Sequence, residues 1–242
     1  MIKLLIALFG AAKFGKVALT AGTMALSVVT YSFVWGWPYA VGIVLLIFAH
    51  EMGHFVAARQ RGLAVGAPTF IPFVGAWIEL KEQKLEPETE AYVAMAGPVV
   101  GTVAAVLCYF AARELGSPLL LALAFSGLVL NLFNLIPLAP LDGGRITRIL
   151  TPRAWIIGLP ILVALFLWRP SPLLLVIGLV ALPQIWASRR AAAPGPDGVP
   201  PPVPAPLNIR LLYGGYYLGL AGFLAIMAAE LHGDIGRAIG TP

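Results

Sequence analysis

Long apolar runs fill most of this chain, and they constrain its fold more than any other feature. A helix needs about 20 apolar residues to cross a bilayer. Hydrophobic residues make up 60% of the sequence and charged residues only 11%, which leaves too little polar surface to cover a soluble core. The sequence therefore predicts an all-α polytopic membrane protein with the lipid bilayer as its partner. The candidate spans are residues 16–36, 38–58, 91–113, 118–135, 155–168, 171–187 and 211–230.

Two of these candidates, 155–168 and 171–187, are short or contain proline, so six to seven transmembrane helices are expected. With the N-terminus in the cytoplasm, all Lys and Arg residues except Arg113, Arg169 and Arg237 fall on the inner side. This distribution follows the positive-inside rule and forms no patch for nucleic acid. We therefore expect the N-terminus and the active site to face the cytoplasm, in a prokaryotic plasma (inner) membrane.

Composition also divides the chain along its length. Residues 1–15 are typical of an amphipathic segment on the inner surface, and 16–190 form the predicted membrane core. Residues 191–207 are rich in proline and predict an extended linker, followed by a transmembrane segment and tail at 208–242. Within the core, residues 66–82 are apolar but too short to span. They predict a β-like re-entrant element, with a plain surface loop as the alternative.

Ionisable residues interrupt the second apolar segment, where charge costs a few kcal/mol and indicates a functional site. They form the pattern His50-Glu51-Met52-Gly53-His54. Positions i and i+4 share one helix face, so His50 and His54 can bind one metal ion. Glu51 lies about 100° around the helix from His50, within reach of a water on that metal. The alternative is a packed histidine pair, with Glu51 hydrogen-bonded to a neighbouring helix.

A catalytic zinc site usually has three protein ligands and a water, so the two histidines require a third ligand. The sequence has one cysteine, in an apolar span, and His232 lies at the opposite predicted face. A carboxylate is therefore expected. Apart from Glu51, Asp142 is the acid most clearly embedded in apolar sequence, behind prolines that break the helix. The alternative for Asp142 is a turn carboxylate that caps local amides or pairs with Arg145.

Two asparagines, Asn131 and Asn134, lie three residues apart in the fourth apolar segment. An amide in an apolar environment needs hydrogen-bond partners, so one of them can simply tie helices together. The functional hypothesis concerns Asn134, which adjoins the broken helix. Its amide would donate to a substrate carbonyl or to a developing oxyanion.

These motifs together resemble the site-2 protease family of intramembrane metalloproteases. The resemblance rests on HEMGH at 50–54, NLIP at 134–137 and LDGG at 141–144, supported by AGP at 96–98 and FIPFVGAWIELK at 70–81. It covers about residues 17–151. Ile136 replaces the commoner leucine. No PDZ-like or nucleotide-sensing domain is found, so a minimal form is expected.

The resemblance implies one zinc ion per chain, held by His50, His54 and Asp142. It also implies Glu51 as the general base and Asn134 as the active-site asparagine. The re-entrant element implies substrate-binding residues, taken as Phe73, Gly75 and Trp77.

The function implied is that of a zinc metalloendopeptidase. It would hydrolyse a peptide bond in or near the transmembrane helix of a membrane-spanning protein substrate, in regulated intramembrane proteolysis. One alternative is a metal-ion transporter, but such proteins usually contain paired repeats and HEMGH occurs once. The other alternative is a catalytically inactive membrane binding homologue. The substrate and the oligomeric state are left open.

Overall fold

The computed structural model describes residues 2–72, 75–77, 85–190 and 205–238 of the 242-residue chain. This part is mainly helical, with one pair of short strands. The elements are α1 (Ile2–Trp35), α2 (Trp37–Gln60), β1 (Thr69–Ile71), β2 (Gly75–Trp77), α3 (Pro87–Leu115), α4 (Pro118–Asn134), α5 (Asp142–Thr147), α6 (Trp155–Trp168), α7 (Pro172–Arg190) and α8 (Leu207–Ala238).

Each of the seven predicted apolar segments coincides with a helix. In the described part of the chain, four helices are long and apolar enough to cross a membrane: α1 from Val17 onward, α2, α3, and α8 as far as Ile235. The apolar helices α4, α6 and α7 are shorter. A mainly helical fold with four candidate membrane-spanning helices is thus confirmed, whereas six to seven crossings stay a prediction.

The ends of the predicted domain scheme are only partly described. Helix α1 runs without a break from Ile2 to Trp35, so residues 2–15 are continuous with the first apolar span. Their predicted place on the inner surface stays a prediction. The proline-rich linker lies outside the described residues from 191 to 204.

Helices α2, α3 and α4 form the centre of the fold, and α8 packs against α4. The turn between α3 and α4 is short because Ser117 caps α4, its Oγ accepting from the Leu120 N–H at 3.4 Å, and Pro118 begins the helix. One apolar cluster includes Leu128 of α4, Leu224 of α8, and Leu135, which directly follows α4. All three side chains are nearly inaccessible to solvent. This cluster also includes Ala94 and Met95 of α3 and Ile146 of α5, so it packs α3, α4, α5 and α8 together.

The two strands form an antiparallel pair with Phe70 opposite Ala76. Polar bonds fasten β1 to α1: the Phe70 N–H donates to Thr23 Oγ1 at 3.1 Å, and Thr20 Oγ1 donates to the Pro68 carbonyl at 2.7 Å. The Phe70 side chain is buried. A short β element therefore exists where the sequence predicts one. That it is re-entrant in the membrane stays a prediction.

Candidate metal centre

The two histidines of α2 lie one helical turn apart and point into the protein. His50 and His54 are 4% and 8% exposed, although α2 is apolar enough to cross a membrane. Their Nε2 atoms are 3.1 Å apart, and the two rings meet at an interplanar angle of 81°. The i, i+4 spacing thus brings two imidazole nitrogens to one point, as the sequence predicts.

Asp142 reaches the same point from the other side of the fold. Its Oδ2 atom lies 3.1 Å from His50 Nε2 and 3.2 Å from His54 Nε2, and the residue is 7% exposed. Because α4 ends at Asn134 and α5 begins at Asp142, the irregular stretch between them turns the carboxylate toward α2. The structure therefore brings together all three residues that the sequence predicts as metal ligands.

The alternative role for Asp142, an ion pair with Arg145, does not describe the structure. Arg145 instead pairs with Glu90 of α3, with Nε and Oε1 3.6 Å apart. Glu90 also pairs with Arg148, with its Oε2 3.0 Å from Nη1. Arg145 of α5 and Arg148 directly after it thus join this segment to α3, and Asp142 is left to face the histidines.

The Nδ1 atoms of both histidines, which point away from the shared Nε2 site, each have a hydrogen-bond acceptor. His50 Nδ1 donates to Asn131 Oδ1 at 2.8 Å, and His54 Nδ1 donates to the Val93 carbonyl at 2.8 Å. The donor role at His50 follows from the Asn131 amide, whose Nδ2 donates to the Gly127 carbonyl at 2.7 Å and so turns Oδ1 toward the ring. In the neutral imidazoles, both Nε2 atoms are then left with a free lone pair.

The donor set fits a zinc ion. Two imidazole lone pairs and a carboxylate oxygen converge, and three acceptors this close repel one another unless a cation lies between them. Tetrahedral zinc, with bonds of about 2.0–2.1 Å, separates its ligand atoms by about 3.3–3.4 Å, near the distances found here. Two histidines and one carboxylate are also a ligand set that catalytic zinc sites use.

Close helix packing is part of this geometry. A Cβ added to Gly97 of α3 would overlap the imidazole ring of His54. The absence of a side chain at position 97 therefore lets α3 approach the ring closely enough for the Val93 carbonyl to accept from Nδ1. The glycine of the AGP motif thus has a packing role beside His54.

Glu51 is 8% exposed and directly follows His50 on α2. Placing a carboxylate in such an apolar helix is costly, which supports a functional role for Glu51 beside the candidate ligands. Asn134 is half-buried, and its Nδ2 donates to the Leu130 carbonyl of its own helix at 3.2 Å. Of the two asparagines, Asn131 is the one that ties helices together, because it bridges α4 to His50 on α2.

The predicted substrate-binding residues are only partly described. Phe73 lies outside the described residues, whereas Gly75 and Trp77 are the two ends of β2. Their role stays a prediction. Sequence reasoning did not find the Val93 carbonyl, because a backbone acceptor leaves no signal in the sequence. For Asn131, the signal in the sequence was a polar amide in an apolar span. That signal did not identify His50 as its hydrogen-bond partner.

Fold and site together define a class: a helical protein with membrane-length apolar helices and a buried His–His–Asp group that can hold a metal ion. Residues 38–117, which include both histidines and Glu51, match the Peptidase family M50. This match confirms the resemblance to the site-2 protease family that the motifs indicate.

Individual relatives agree with the family match. A zinc metalloprotease of Methanocaldococcus jannaschii is 31% identical over 130 residues, which are 52% of this chain and 37% of that protein. Rip3 of Mycobacterium tuberculosis is 35% identical over 117 residues, 45% of this chain and 30% of that protein. The chain thus spans about a third of the length of these curated relatives. The solved Site-2 Protease from Methanocaldococcus jannaschii is 22% identical, with a TM-score of 0.46 over 69% of this chain and 85% of that one.

Proposed function

We propose that the protein is an intramembrane zinc metalloprotease that hydrolyses a peptide bond in or near a substrate's transmembrane helix, in regulated intramembrane proteolysis. The observation that carries this proposal is the buried group of His50, His54 and Asp142, in which the two histidines and the neighbouring Glu51 lie on an apolar helix of membrane-spanning length. The relatives' names support zinc as the metal. His50 Nε2, His54 Nε2 and Asp142 Oδ2 would hold one ion per chain.

Zinc in this site would supply a Lewis acid that polarises the scissile carbonyl and makes water more acidic. Glu51 carries the proton transfers. Its carboxylate takes a proton from the attacking water as the oxygen–carbon bond forms, and then gives that proton to the leaving amine as the carbon–nitrogen bond breaks. Asn134 would donate from its amide to the oxygen of the scissile carbonyl as negative charge develops there.

The substrate helix must unwind before it is cut, because a helix engages its carbonyls in internal hydrogen bonds. β2 offers an edge for the unwound segment. Phe70 donates its N–H to α1, so the pair of Phe70 with Ala76 is not hydrogen-bonded between the strands. In a non-hydrogen-bonded pair, the N–H and C=O of both residues point away from the partner strand. The N–H and C=O of Ala76 therefore point away from β1. Phe73, Gly75 and Trp77 would flank the bound segment.

Purified protein in detergent provides the test. The probes are single-span reporter proteins whose transmembrane helices carry a Gly-Pro pair at successive depths, since these residues ease local unwinding. The proposal expects about one zinc per chain, with cleavage of at least one reporter that stops on chelation and returns with added zinc. Bound zinc with no cleavage of any reporter favours the inactive homologue. Zinc flux into liposomes without cleavage favours the transporter.

The two asparagines are expected to act differently. Asn131→Leu removes the acceptor of His50 Nδ1–H and is expected to weaken zinc binding by about 10–100-fold, as loss of a ligand's hydrogen-bond partner typically does. Asn134→Leu is the matched control for metal binding and is expected to keep zinc while slowing cleavage. Zinc titration against a competing chelator measures the first effect. Equal zinc affinity in both variants would contradict the assigned role of Asn131.

Orientation is the next expectation, because it decides where the product goes. We expect the six to seven crossings to place the N-terminus and the metal centre toward the cytoplasm of a prokaryotic plasma membrane, since nearly all basic residues then lie inside. His54 precedes Arg59 by about 7–8 Å along the helix, which puts the metal in the inner half of the bilayer.

Single cysteines at Gly62 and Gly116, in a Cys108→Ser background, test this orientation. An impermeant thiol reagent outside intact cells is expected to label position 116 and not position 62. The reverse pattern would invert the topology and send the fragment to the other side.

A further inference from the structure

The ligand Asp142 is carried by a segment that has little regular structure of its own. Helix α4 ends at Asn134, and the six-residue helix α5 begins at Asp142. The last turn of a helix leaves carbonyls without helical donors, and the prolines that follow α4 offer no N–H. The position of Asp142 therefore depends on contacts that hold this segment from outside.

Helix α8 supplies such a contact where the segment begins. Tyr217 donates its hydroxyl hydrogen to the Leu135 carbonyl at 2.5 Å, across 82 positions of sequence. Leu135 is 2% exposed and shares an apolar cluster with Ile146 of α5 and Leu224 of α8. Helix α8 thus satisfies a carbonyl at the end of α4 in apolar surroundings, where an unsatisfied carbonyl is costly.

The same carbonyl touches the residue that follows Asp142. The Leu135 carbonyl lies so close to Gly143 that a Cβ on the glycine would overlap it. This is a contact between backbone groups, without a flexible side chain that could absorb a shift. In a close-packed interior, a displacement of the Leu135 carbonyl is therefore passed to Gly143 and to the adjoining Asp142.

A second bond from α8 holds the chain beyond α5. Arg210 Nη2 donates to the Leu150 carbonyl at 2.7 Å. On the other side, Glu90 of α3 pairs with Arg145 and Arg148. Helix α8 therefore holds both ends of the segment that carries Asp142, whereas α3 holds its middle.

We infer that α8 is a positioning helix for the metal centre and that Tyr217 is its positioning residue. Through the Leu135 carbonyl and Gly143, Tyr217 keeps Asp142 within reach of the two histidines. The inference rests on the proposed function, because it requires a metal at these ligands. The hydrogen bond of Tyr217 goes to the Leu135 carbonyl and not to one of the three candidate ligands, and Tyr217 acts on the affinity and the ligand geometry of the bound metal.

The experiment compares Tyr217→Phe with Tyr216→Phe in the full chain. The two variants remove the same atom from neighbouring positions, but Tyr216 is 60% exposed. Zinc affinity is measured by chelator competition, and the ligand geometry by the visible absorption of the Co²⁺-substituted protein. Tyr217→Phe is expected to bind zinc about tenfold more weakly, at the low end of effects seen for outer-shell partners, and to change the Co²⁺ bands. Tyr216→Phe is expected to change neither.

Wild-type affinity and wild-type Co²⁺ bands in Tyr217→Phe would overturn this inference and leave the proposed function standing. Failure of the wild-type chain itself to bind zinc would overturn the proposed function instead. If Tyr217→Phe does not fold by circular dichroism, Arg210→Gln takes its place, because it removes the other bond from α8. The same loss of affinity is then expected, and unchanged zinc and Co²⁺ binding would overturn the inference.

Discussion

Replacing Glu51 with glutamine is expected to lower cleavage by about 10²–10⁴-fold, the range typical of general acid–base catalysis, while about one zinc remains bound per chain. Glutamine has nearly the same size and keeps a carbonyl oxygen, but it cannot accept the proton of the attacking water. It also cannot return a proton to the leaving amine. The three proposed ligands are unchanged in this variant, so it tests proton transfer separately from metal binding.

Reporter cleavage and zinc content are measured on the same preparation of Glu51→Gln. Glu114→Gln is the matched control, since Glu114 is exposed near the end of α3. This variant is expected to cleave the reporter like the wild type. Wild-type turnover by Glu51→Gln would remove Glu51 from the mechanism. Loss of zinc from this variant would instead make Glu51 a ligand.

The second large effect concerns the ligands. His50→Ala, His54→Ala and Asp142→Ala are each expected to lower zinc content well below one per chain and to abolish cleavage. Each leaves only two protein ligands where catalytic zinc usually has three. Metal analysis after dialysis against a weak chelator measures the effect.

The remaining histidine provides the control. His232 lies exposed on α8, where its ring packs 5.8 Å from that of Phe125, and His232→Ala is expected to keep zinc and activity. Full zinc occupancy in Asp142→Ala would show that another group completes the site and would contradict the assignment of the third ligand.

The candidate ligands could be predicted from the sequence because their placement depends on helix periodicity and on chain breaks. The i, i+4 spacing needs only that α2 be a helix, and the structure brings His50 and His54 to one point. Asp142 followed from the shortage of other ligands and from the prolines that end α4. The first step uses residues near one another in sequence, where backbone geometry restricts what is possible, whereas the second depends on how few metal-binding side chains the chain contains.

Contacts between distant elements were not predictable in the same way. The acceptor of His54 is the backbone carbonyl of Val93, 39 positions away, and the donor to Leu135 is Tyr217, 82 positions away. Neither contact follows from residue type. The number of crossings is also beyond the sequence, because α4, with 17 residues, and α6, with 14, are near or below the length that spans a bilayer.

Zinc K-edge X-ray absorption on purified protein that cleaves a reporter tests the central claim most directly. The account predicts a shell of nitrogen and oxygen atoms at about 2.0–2.1 Å with the outer scattering of two imidazoles, and one imidazole fewer in any zinc that His54→Ala retains. A sulfur shell at about 2.3 Å, or active protein without zinc, would contradict it.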